Sequence, residues 1–66
     1  MKLFAVKENK EIKINSDLQE IKRLNISGAN CFIVKKSKNF CVIKVFGRGE
    51  FAIEKSLANL VEVEYV

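Results

Sequence analysis

Two runs rich in β-branched and aromatic residues, 31–36 and 40–46, are separated only by Ser37-Lys38-Asn39. Such residues suit a pleated, half-buried surface. A three-residue gap leaves no room for a crossover, so the two runs are expected to pair as an antiparallel hairpin. Its register decides which side chains meet solvent. With a loop of two or four residues, Phe32, Val34, Cys41, Ile43 and Val45 share one wholly apolar face. Cys31, Ile33, Lys35, Phe40, Val42, Lys44 and Phe46 share the other. A one-residue change in loop length would reshuffle these sets.

The flanking segments read as a mixture of strands and helices. Residues 2–7 and the alternating Glu11-Ile12-Lys13-Ile14 are expected to form a first hairpin across a turn at 8–10. A helix over 17–24 follows. Ser16 stands at its N-cap with Gln19 at the capping-box spacing. Asp17 and Glu20 lie in its first turn, and Lys22 and Arg23 in its last, as the helix dipole favours. Leu18, Ile21 and Leu24 form its apolar side. Asn25 suits the left-handed residue that ends a helix, with Ile26 as its apolar contact. Gly47-Arg48-Gly49 breaks the second central strand. Residues 50–58 favour a helix through Ile53, Leu57 and Leu60, although 50–54 also fits a short strand with Phe51 and Ile53 on one face. Asn59-Leu60 would repeat the ending at Asn25-Ile26. Residues 61–66 alternate as a last strand. The expected architecture is one small α+β domain over 1–66: antiparallel hairpins, one capped helix, and a second short helix or turn. The alternative is a small all-β barrel, which needs 18–26 to be a strand.

Several functional classes fall away. The longest unbroken apolar run, Cys31-Phe32-Ile33-Val34, is far short of the ~20 residues of a membrane-spanning helix. Residues 3–6 are too few for a secretory apolar region, so the cytoplasm is the expected location. Two cysteines without any histidine cannot complete a four-ligand zinc site, and they read as buried thiols. No cofactor is expected. Enzyme chemistry is poorly supplied, because a cysteine nucleophile usually relies on a neighbouring base and histidine is absent. Asp17 is explained as a cap residue, and Glu62 and Glu64 as a solvated strand face. Gly47-Arg48-Gly49 lacks the rest of a phosphate loop. At 48% apolar the chain is too hydrophobic for disorder, yet 66 residues make a thin core. Self-association as a homodimer would relieve that shortage.

The charge layout is uneven. Residues 21–49 hold seven cations and no acid: Lys22, Arg23, Lys35, Lys36, Lys38, Lys44 and Arg48. Residues 50–66 hold four glutamates and one lysine, and in residues 1–20 the charges cancel. A one-sign stretch attracts polyanions. The expectation is a non-catalytic binding protein that docks on nucleic acid or an acidic protein surface. Those seven cations would meet phosphates, and Phe40 and Phe46 would stack on bases. The alternative is a protein-binding inhibitor or adaptor, of the compact kind that phages and other mobile elements encode. Its acidic C-terminal strand would offer an edge for strand addition.

Overall fold

The structure, a computed structural model, describes residues 1–66. Five strands form one antiparallel sheet in the order β4-β3-β2-β1-β5. They are β1 (Glu11–Ile14), β2 (Asn30–Lys36), β3 (Phe40–Val45), β4 (Gly49–Glu54) and β5 (Val63–Tyr65). Two short helices, α1 (Gln19–Leu24) and α2 (Lys55–Ala58), complete an α+β fold. The sheet is open, with β4 and β5 at its edges, so the barrel alternative fails. Residues 18–26, which a barrel needs as a strand, contain α1 instead. No helix is long and apolar enough to cross a membrane.

The central hairpin forms as its composition predicts, but with a bulge. Lys36 pairs with Cys41 and Lys35 with Val42, after which Ile33 pairs with Ile43 and Cys31 with Val45. Val34 is therefore an extra residue, and it lies exposed. Beyond it the faces exchange. Cys31 and Ile33 join Cys41, Ile43 and Val45 in the interior, while Phe32 moves to the other face. Lys35, Phe40, Val42, Lys44 and Phe46 keep their expected common face, and Phe32 joins it opposite Lys44.

One face of the sheet builds the core. Every strand contributes to a single cluster of fifteen buried side chains, including Ile12, Ile14, Ile33, Ile43, Ile53 and Val63. Ile21 of α1, Ala58 of α2, and Leu3, Val6, Ile26 and Val61 from the connections close over it. The opposite face of the sheet is left to solvent.

Three local expectations are corrected. Residues 2–7 form no strand: Leu3–Ala5 is one turn of 3-10 helix, which buries Leu3. The place beside β1 goes to β5, where Lys13 pairs with Glu64. Ser16 is not the N-cap of α1. Its hydroxyl accepts the Leu18 N–H at 3.3 Å, so it shapes the approach, and the helix starts at Gln19 with no side-chain cap. Residues 50–58 are not one helix: the strand reading holds for β4, with only one helical turn after it. Gly47, at φ +79, closes the turn between β3 and β4, where the Arg48 N–H donates to the Val45 carbonyl at 2.9 Å.

The end of α1 follows its sequence closely. Asn25 is left-handed at φ 59, ψ 42. The Asn25 N–H donates to the Lys22 carbonyl at 3.0 Å and the Ile26 N–H reaches back to the Ile21 carbonyl at 3.5 Å, a Schellman arrangement that buries Ile26. Asn59 does not repeat it. It stays right-handed at φ −72, and Leu60 is exposed.

Candidate nucleic-acid interface

The seven cations of the central stretch do not gather on one surface. Successive strand residues advance about 3.4 Å, so the two ends of β3 are roughly 17 Å apart. Lys22, Arg23 and Arg48 belong to one end, where the Arg48 guanidinium donates to the Asn25 carbonyl at the close of α1, 3.1 Å away. Lys35, Lys36 and Lys38 belong to the other, at the β2–β3 turn. That turn is fixed by Ser37, whose N–H donates to the Phe40 carbonyl at 2.8 Å and whose hydroxyl accepts the Phe40 N–H at 3.3 Å. Lys44 lies between the two ends on the solvent face.

The turn end gains lysines that a windowed reading of the sequence leaves out. The Lys55 N–H donates to the Asn39 carbonyl at 2.8 Å, bringing the first residue of α2 beside the turn. The loop before β1 is tied to β2 on its other side. There the Asn9 N–H donates to the Ile33 carbonyl at 3.0 Å and the Lys36 N–H to Glu8 Oε2 at 2.9 Å. Phe4 joins the segments, with the Lys36 and Lys55 ammonium groups 5.3 and 5.5 Å from its ring centroid. Lys7 and Lys10 line an adjoining open concavity of about 450 Å³ with Glu11, Tyr65 and Val66. This end thus collects five lysines, at 7, 35, 36, 38 and 55, against Glu8 and Glu54, while Lys10 and Glu11 lie farther along β1, level with Ile33 and Phe32.

None of those lysines is held by a carboxylate. The only ion pairs in the molecule are on Glu62, which meets the Met1 amino group at 3.1 Å and Lys2 at 2.9 Å. The Lys2 ammonium, followed by the amino terminus, holds the Glu62 carboxyl below the usual range. All seven cations of the central stretch are free of such pairs.

The solvent face of the sheet is a different surface. Phe32 and Phe46 meet there with ring centroids 5.8 Å apart, and Phe46 is 49% exposed. Phe40 is half-buried at the far end of the same strand, so it forms no common platform with Phe46. Phe32, expected in the core, is the aromatic partner instead, because the Val34 bulge turns it outward. Lysines and glutamates alternate across this face. Lys44 stands opposite Glu50, Lys13 opposite Glu64, Phe32 opposite Glu11, and Phe40 opposite Glu54. With Lys35, the face carries three lysines and four glutamates, so it is not basic.

The interior holds no convergent chemistry. Cys31 and Cys41 are both buried and unpaired. Burial pushes the Cys31 thiol up to about 11 and raises Cys41 as well. No three side chains of the His, Cys, Asp or Glu types converge as metal ligands would. No family model, curated protein or solved structure matches the chain.

Proposed function

We propose that the protein is a small, non-catalytic basic module that docks on the phosphate backbone of nucleic acid. The contact surface is the turn end of the sheet, not the whole length of the basic stretch. One observation carries the reading: five lysines from three separate segments meet there, and no carboxylate pairs with any of them. Unpaired ammonium groups release the condensed counterions of a polyanion when they bind it. Lys7, Lys35, Lys38 and Lys55 are exposed, and Lys36 is half-buried. Lys36 and Lys55 give part of their surface to Phe4 and set the shape of the end. The proposal places the protein in a reducing compartment such as the cytoplasm, where Cys31 and Cys41 stay thiols. A dimer is part of the same proposal, and light scattering above the mass of one chain is its check.

A second reading, a protein-binding inhibitor or adaptor, is favoured by the solvent face, where the Phe32–Phe46 pair is ringed by both signs of charge. Fluorescence anisotropy with labelled single-stranded and duplex oligonucleotides at low salt separates the two. The expected result is binding that Lys35→Glu with Lys38→Glu weakens by about tenfold or more, while Lys22→Glu with Arg23→Glu changes it little. Equal losses from both pairs, or no better affinity for oligonucleotides than for heparin, would overturn specific docking at the turn end.

A further inference from the structure

The outer edge of β4 is open along its whole length. Across the β3–β4 ladder the Lys55 N–H donates to the Asn39 carbonyl, which fixes the alternation. The backbone groups of Gly49, Phe51 and Ile53 turn toward their partners Val45, Ile43 and Cys41. Those of Glu50, Ala52 and Glu54 therefore turn outward. None of the three makes a backbone hydrogen bond to a turn, loop or cap, and all three residues are exposed. The other edge of the sheet is treated differently. Beside β5 the Val63 N–H donates to the Met1 carbonyl and the Leu3 N–H to the Val61 carbonyl, both at 2.8 Å, so the N-terminal residues cover part of it.

Open edges are usually blunted by charged side chains, proline or a bulge. β4 has no proline or bulge, and the charges beside its free backbone groups are Glu50 and Glu54, four residues apart on one face. This pattern selects what can pair there. A second copy laid antiparallel about Ala52 would set Glu50 against Glu54 of the other copy, twice, and like charges directly opposite each other are destabilising. A strand with cations at the first and fifth positions and a small residue at the third meets Glu54, Ala52 and Glu50 with opposite charge. The ladder already shows one such pair, since Lys44 of β3 stands opposite Glu50.

We infer that β4 is a docking edge for an extended segment of a partner protein bearing Lys or Arg at positions one and five around a small third residue. The second and fourth side chains of that segment fall on the core side of the sheet, beside Phe51 and Ile53, and are apolar. A shallow groove of about 160 Å³ lined by Glu20, Glu54, Leu57 and Leu60 adjoins that side. Main-chain bonds supply affinity and the two glutamates supply selection. The inference uses none of the lysines of the basic end, although Glu54 borders both surfaces.

The test uses the full chain and a labelled peptide containing Lys-Val-Ala-Val-Lys, with Glu-Val-Ala-Val-Glu as its counterpart. The lysine peptide is expected to bind saturably and to slow amide exchange at Glu50, Ala52 and Glu54. Ala52→Pro removes one outward N–H without touching the β3 ladder, as proline is tolerated on an edge strand. It should weaken binding at least tenfold, with the unfolding transition showing that the fold is kept. Glu50→Lys with Glu54→Lys should transfer the preference to the glutamate peptide. Four results would overturn the inference. They are equal binding of both peptides to the native chain, unchanged binding to the Ala52→Pro variant, absence of protection at the three amides, and protection that rises with protein concentration without peptide. The last would identify a second copy as the occupant.

Discussion

Ile43 shows how much of this molecule rests on single side chains. It lies fully buried in the central strand, between Ile33 on one side and Phe51 on the other. Removing a branched chain from such a site costs its transfer free energy and leaves a cavity. Ile43→Ala is expected to lower unfolding stability by about 2–5 kcal/mol in urea titrations. The thiols give a second residue-scale expectation. Burial raises Cys31 from the ordinary value of 9.0 to about 11, so the folded state keeps its proton where the unfolded chain loses it. That contribution to stability is fully present below pH 9 and fades as pH rises toward 11. Unfolding midpoints measured across that window should fall. Below it, Cys31 and Cys41 should resist a thiol reagent until denaturant is added. Burial of two cysteines was legible in the sequence, because they sit within apolar strands and no histidine accompanies them.

At the scale of elements, legibility followed local chemistry. Asn25-Ile26 ends α1 as the residue types predict, because Asn tolerates the left-handed conformation and the next residue is apolar. Asn25→Gly should be nearly neutral, whereas Asn25→Ala should cost about 1–2 kcal/mol, read from thermal unfolding. The same pair of residue types at Asn59-Leu60 gives another ending, since one turn of helix leaves Leu60 no buried site. The bulge at Val34 was not legible. Val34 is β-branched like its neighbours, and only pairing with β3 reveals it as extra. Its removal has a definite consequence: deletion of Val34 joins the Ile33–Ile43 pair directly to Lys35–Val42 and leaves every buried residue on its face. That variant should fold with a cooperative transition. Deletion of Phe32 instead sets Val34 opposite Ile43 and turns Ile33 outward, so that variant should be less stable than the Val34 deletion in thermal unfolding. Residues 2–7 depart from their strand-like pattern for a related reason. Their apolar run suits a strand, but β5, fifty residues away, takes the available edge of β1.

For the whole molecule, charge counted along the chain and charge placed in space differ. The run of seven cations divides between two ends of the sheet, because Lys35, Lys36 and Lys38 sit at the β2–β3 turn whereas α1 and the β3–β4 turn hold Lys22, Arg23 and Arg48 at the other end. Lys7 and Lys55 come from segments that look neutral or acidic in sequence, yet the start of the loop before β1 and the start of α2 both fold back to that turn. A polyanion bound there meets about three or four lysines at once. The slope of log affinity against log salt for single strands should therefore be roughly −2 to −3, not the about −5 that seven contacts would give.

Amide chemical-shift mapping during titration with a short single-stranded oligonucleotide reaches the central claim most directly. The account predicts the largest shifts in residues 7–10, 35–39 and 55, with Arg23 and Arg48 little moved. Shifts centred on α1 and Arg48, or spread evenly over the surface, would contradict it.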